Sequence, residues 1–265
     1  MPGVNMCETT ESGTGAGAAS NPAVDRGVPA APVERSLLDE LVIANRVLFK
    51  HRVVDAFGHV SIRHDKDPER FLLARNMAPG LVTAEDIVEF HLDGTPVDAV
   101  GRSVYLERFI HGAIYRARPK VQAVVHSHAP AVVPFGVSAS ARLMPVWHMS
   151  GFLGLDTPVF EIRDVAGDAT DLLIRSNRLG DALAASLGDA CVVLMRGHGA
   201  TVTGDSLRQA VFRAVYTQLN AELQLQAVQL GDVRYLTEGE VRTTTDSVGS
   251  QIDRAWNLWK CEVAN

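Results

Sequence analysis

Two apolar runs that each end in histidine limit what this chain can become. The first, VQAVV at 121–125, closes on His126 and His128; the second, ACVVLM at 190–195, is followed by Arg196 and by His198 between two glycines. Runs this short, bounded by turn residues, read as buried strands. Side chains two apart on a strand point to the same face. His126 and His128 therefore offer two imidazoles to one point, and His198 at a second strand end supplies a third. Three protein ligands with an open position are the usual arrangement of a catalytic divalent metal. Imidazole suits zinc, iron, nickel or copper, and manganese is admitted where oxygen ligands complete the sphere.

The rest of the pattern alternates helix and strand. Leu37, Leu38, Leu41, Val42, Ala44, Val47 and Leu48 fall at helical spacing and predict an amphipathic helix over 34–51. A glycine turn and a short alternating strand follow over 55–63, then a strand over 71–75 and an irregular stretch over 76–80. Thr83 to Asp86 resembles a capped turn, and 87–92 reads as a hairpin strand with Asp93 and Gly94 as its turn. Helices are expected over 106–118, 177–187 and 207–230, a further strand over 158–162, and helical or irregular chain over 129–137. Mixed elements in one body indicate a single α/β domain over 33–265. Residues 1–32 are rich in Gly, Ser, Thr, Ala and Pro and poor in bulky aliphatic groups, so they read as a flexible arm.

Composition removes several function classes. A net charge of −6, with no concentrated basic run, argues against a nucleic-acid partner. No apolar stretch reaches the roughly 18 residues of a membrane span, and the N-terminus lacks the order of a signal peptide. Cys7, Cys191 and Cys261 are widely spaced and form no CxxC pair, which points to a reducing cytoplasm rather than a disulfide framework.

Glu107 lies on the expected helix that feeds the first histidine strand, close to a stripe of Leu106, Ile110 and Ile114. A carboxylate there is poised for proton transfer if it returns to the metal. The alternative is a surface glutamate paired with Arg108 or His111.

Several segments, GHVSIR at 58–63, Glu107 with His111 and Tyr115, AVVHSH at 123–128 and RGHG at 196–199, occur in an order that resembles the class II aldolase and adducin family, over about 36–235. The resemblance implies a three-layer α/β/α sandwich around a mixed, mainly antiparallel central sheet. It also implies a homotetramer with active sites at subunit interfaces. In the family's sugar-phosphate aldolases three histidines hold zinc and a glutamate transfers the proton; those roles fall on His126, His128, His198 and Glu107.

Two departures from the aldolase pattern bear on substrate. His59 stands where the aldolases carry an asparagine, and 74–80 reads ARNMAPG where they carry a hydroxyl-bearing turn. Met77 and Ala78 bring no hydroxyl to a phosphate. Arg75 offers instead a guanidinium suited to a carboxylate, with Asn76 beside it; a surface ion pair is the alternative for Arg75. The loop PVWHMSGFLG at 145–154 is rich in aromatic side chains and contains His148. These features resemble the branch that decarboxylates aromatic acids bearing a hydroxyl next to the carboxylate. Its members include the enzymes acting on 3-hydroxy-2-methylpyridine-4,5-dicarboxylate in vitamin B6 degradation and on dihydroxyphthalates. The implied roles are Glu107 or His148 as proton donor, Arg75, Asn76 and His59 as substrate contacts, and manganese or zinc as the cofactor. An aldolase acting on a non-phosphorylated aldol, or an adducin-like module without catalysis, are the other readings.

Overall fold

The computed structural model describes residues 32–264. Its elements follow in the order α1 (Arg35–Lys50), β1 (His59–Arg63), β2 (Arg70–Ala74), β3 (Ile87–His91), α2 (Arg108–Ala117), β4 (Ala123–Ser127), α3 (Val133–Val137), β5 (Val159–Phe160), α4 (Arg163–Ala166), α5 (Asn177–Leu187), β6 (Val192–Met195), β7 (Gly199–Gly204), α6 (Leu207–Leu230), α7 (Glu238–Gly249) and α8 (Ile252–Val263). The strands form one sheet in the order β3-β2-β1-β4-β7-β6-β5. Every pairing is antiparallel except that of β5 with β6.

Strand alternation explains the layers. On β4 and its neighbours Ala123, Val125, Val60, Ile62, Ala200, Val202, Val192 and Leu194 share one core with residues of α1, α6 and α8. Val124, Val193, Met195, Phe71, Leu73 and Phe90 share the other with α2 and α5. A sheet covered on both faces needs apolar residues at successive positions, which is why the two histidine-ended runs read as continuous rather than alternating. The result is the expected α/β/α sandwich with a mixed, mainly antiparallel sheet.

Helix boundaries follow local chemistry. Ser176 and Ser206 cap α5 and α6, their hydroxyls accepting from the amides of Leu179 and Gln209; each such cap contributes about 1 kcal/mol. Thr83 and Asp86 form a reciprocal capping box around a single 3-10 turn, as the sequence indicated.

Several expectations need correction. The helix expected over 106–118 begins at Arg108, with Glu107 as its non-helical N-cap residue. Leu106 consequently leaves the buried stripe and stands 45% exposed. The strand expected over 158–162 is only two residues long. β1 was expected to alternate but is buried throughout, because α2 covers the face that carries His59, Ser61 and Arg63. Strand β7 and helices α7 and α8 had no counterpart in the reading; the buried Trp256 and Trp259 of α8 join the core of α1 and α6. The proposed arm lies outside the described residues, Pro32 excepted.

Candidate metal centre and active site

Register brings the histidines together. β1 pairs His59 with His126, and β4 pairs His126 with Thr201 and Ser127 with Ala200, so the turn before β7 is carried to the end of β4. Residues 196–198 form that turn between Met195 and Gly199, which are paired. Gly197 has φ +68°, the left-handed region that a three-residue hairpin loop demands of one position. A Cβ on Gly199 would lie 2.0 Å from the Ser127 carbonyl oxygen, so only glycine lets β7 lie this close to β4. The two glycines that flank His198 thus place it against His128.

The Nε2 atoms converge. His128 Nε2 is 3.0 Å from His126 Nε2 and 2.9 Å from His198 Nε2. Glu107 Oε2 lies 3.4 Å from the Nε2 atoms of both His126 and His198. Ligands bound tetrahedrally at about 2.05 Å would stand about 3.3 Å apart, close to this spacing. Second contacts orient the rings. His198 Nδ1 donates to the Leu172 carbonyl at 2.9 Å, which leaves the Nε2 lone pair for an ion. His126 Nδ1 lies 3.5 Å from Thr201 Oγ1. The four side chains Glu107, His126, His128 and His198 are close enough together to hold a divalent cation.

A single loop contacts both Glu107 and His198. Leu172 has φ +68°, a strained conformation for a leucine, and offers its carbonyl to His198. Two residues on, the amide of Ile174 donates to Glu107 Oε1 at 2.9 Å. Thr170 Oγ1 and Asp171 Oδ1 in turn accept from the amides of Leu172 and Leu173.

Electrostatics divide the cluster. Burial works against the Glu107 charge, but the imidazoles of His126 and His198 outweigh it and hold the carboxyl below the ordinary carboxylate range. Burial, helped by His126 and His198, takes the His128 pKa down to about 4. Burial likewise lowers that of His126. For His198 burial is outweighed by Glu107 and the Leu172 carbonyl, and the pKa rises.

A cavity of about 400 Å³ opens beside the cluster, bordered by His59, Asn76, Glu107 and His128 and by Phe57, Met77, Tyr105, Leu106 and Leu173. The sequence therefore anticipated four of its polar residues. Arg75 is not among the residues that line it: its Nε is bound to Asp86 Oδ1 at 2.7 Å, the ion-pair alternative. His148 is exposed at the start of a 3-10 segment and borders a different cavity, with Tyr216, Leu258 and Trp259. Within one chain, then, neither Arg75 nor His148 borders the cavity beside the histidine cluster. Sequence reasoning missed Phe57, Tyr105 and Leu173 as lining residues; only the aromatic character of the first two was a signal.

The chain matches the model of the class II aldolase and adducin N-terminal domain over residues 39–225. It is 40% identical to the decarboxylase tropJ of Talaromyces stipitatus over 82% of this chain and 90% of that protein. It is 30% identical to a 3,4-dihydroxyphthalate decarboxylase of Arthrobacter keyseri over 85% of this chain and 92% of that protein. Among solved structures, an L-fuculose 1-phosphate aldolase of Glaciozyma antarctica shares the fold, with a TM-score of 0.71 at 22% identity, covering 88% of this chain and 93% of that one.

Proposed function

We propose, for a chain that belongs to the class II aldolase and adducin family, that it is a lyase releasing CO2 without redox chemistry from an aromatic acid with a hydroxyl beside the departing carboxylate. The observation that carries this reading is the cavity wall. Next to Glu107 and His128 stand the flat rings of Phe57 and Tyr105 with the polarizable Met77 and the aliphatic Leu106, groups that suit a ring, and no hydroxyl-bearing turn that suits a phosphate. The decarboxylase names of two relatives that align over most of their length support the same choice.

A divalent ion held by His126, His128 and His198, zinc or manganese, supplies a Lewis acid at the edge of this cavity. Glu107 rests as a carboxylate, so it enters the cycle as a base. It takes the proton of the ring hydroxyl and delivers it to the ring carbon bearing the carboxylate. That carbon becomes tetrahedral in a β-keto acid; its bond to the carboxylate breaks, CO2 leaves, and the bonding pair restores the ring and its oxygen. Solvent returns the last proton. Of the two candidate proton donors, Glu107 and His148, only Glu107 borders the cavity. With Arg75 engaged by Asp86, His59 and Asn76 are the groups that meet a second, retained carboxylate.

Phe57 and Leu106 stand 67% and 45% exposed at the cavity rim, and a homotetramer with the site at a subunit boundary would cover them. The free Cys191 and Cys261 suit a reducing cytoplasm, and among the described residues no helix is long and apolar enough to cross a membrane.

The test is CO2 release from hydroxylated aromatic diacids, 3-hydroxy-2-methylpyridine-4,5-dicarboxylate and dihydroxyphthalates included, with and without chelator. Chelator-sensitive CO2 release is expected. Aldehyde formation from non-phosphorylated aldols instead would favour the aldolase reading, and protein purified with far less than one ion per chain would favour a non-catalytic module.

A further inference from the structure

Behind the metal ligands runs a buried chain of polar groups of which the proposed reaction uses only the last, His59. His59 Nδ1 lies 2.7 Å from His111 Nε2. His111 Nδ1 lies 2.6 Å from Ser61 Oγ, and Ser61 Oγ lies 2.7 Å from the Tyr115 hydroxyl. All four side chains are at least 96% buried. The chain crosses from α2 to β1 and ends at His59, the one member that borders the cavity.

Proton counting gives the chain a direction. Burial takes the His111 pKa down to about 3 and pushes that of Tyr115 up, so His111 carries one ring proton and Tyr115 keeps its hydroxyl hydrogen. Between His59 Nδ1 and His111 Nε2, 2.7 Å apart, only one hydrogen fits, and each of these two buried imidazoles carries one. The four groups then hold four hydrogens for three contacts. The fourth must point away from one end of the chain. At the Tyr115 end, the hydroxyl also meets the Val124 backbone, which lowers the Tyr115 pKa as a donor does, so Ser61 is left to accept its hydrogen; a buried donor left without a partner costs about 1–3 kcal/mol. At the His59 end, the surplus hydrogen sits on Nε2, the ring nitrogen left over once Nδ1 faces His111. Tyr115 therefore donates to Ser61, Ser61 to His111, and His111 to His59.

We infer that Tyr115, Ser61 and His111 lock His59 in its Nε2–H tautomer, making it a fixed neutral donor that recognises the retained carboxylate of a diacid substrate. The substrate half of this statement rests on the decarboxylase reading; the tautomer half does not. Ser61, His111 and Tyr115 are positioning residues, acting on substrate only through His59. A tautomer set in advance spends no reorganisation when the anion arrives, which is how a neutral ring selects an acceptor over a donor.

The experiment is a two-bond proton–nitrogen correlation on protein labelled with 15N histidine and loaded with diamagnetic zinc, paired with kinetics on Ser61→Ala and Ser61→Thr. The wild-type protein is expected to show the Nε2–H pattern for His59, and Ser61→Ala a mixture of tautomers, with Ser61→Thr restoring the pattern. Ser61→Ala should raise KM for a diacid by about three- to tenfold, with kcat little changed, and leave KM for the matching monoacid in place. A wild-type His59 in the Nδ1–H form, or a Ser61→Ala protein with unaltered pattern and unaltered diacid preference, would overturn the inference. Should Ser61→Ala fail to fold, the wild-type spectrum alone decides. The expected pattern in a protein that decarboxylates nothing would leave the chain standing and sink the substrate reading.

Discussion

The two faces of β4 teach different lessons. Ala123 and Val125 enter an apolar layer shared with α1, α6 and α8, where every neighbouring strand also presents aliphatic groups. The opposite face begins the same way with Val124 but turns polar toward the strand end, where His126 stands between His59 and Thr201 across three strands. One face is held by packing, which tolerates exchange of similar volumes. The other is held by pairings in which each group answers another, and removing one leaves its partner stranded.

Substitutions can break this contrast, beginning with the largest effect. His126→Ala should abolish metal binding and turnover together, read by metal analysis and by CO2 release, while the far-ultraviolet spectrum stays that of the folded chain. Glu107→Gln comes next. It keeps the oxygen that accepts from Ile174, so metal content should hold while kcat falls by about 10²–10⁴-fold. A Glu107→Gln enzyme with full rate would remove this residue from the proton path. Leu194→Ala, on the apolar face, should do the reverse: it should cost about 2–5 kcal/mol of stability in denaturant titration, with metal per folded chain and kcat unchanged. A shift in metal affinity from Leu194→Ala would show that the two faces are coupled.

Much of this division was legible in the sequence. The spacing of His126 and His128 carries their shared direction, and the second apolar run sets His198 at another strand end. The turn's closeness to β4 could not be read, because it depends on Gly199 meeting a carbonyl more than 70 positions earlier. Partner choice was equally hidden. Arg75 looked free for a substrate carboxylate, yet Asp86, at the end of the capped turn, takes its guanidinium. His148 was a candidate proton donor because it lies in an aromatic-rich loop, but it stands exposed at the start of a 3-10 segment. Ser61 and Tyr115 gave no sign of their contact, which exists only once α2 lies across β1.

The loop at 170–176 has a consequence for anyone who wants to watch this site at work. Glu107 draws its backbone donor from Ile174, 67 residues away in sequence. A carboxylate accepts from an amide far more strongly than a carboxylic acid does. The proton inventory of Glu107 is therefore written into a distant peptide group, and the chemical shift of a single amide nitrogen can serve as the gauge of whether its carboxylate holds a proton.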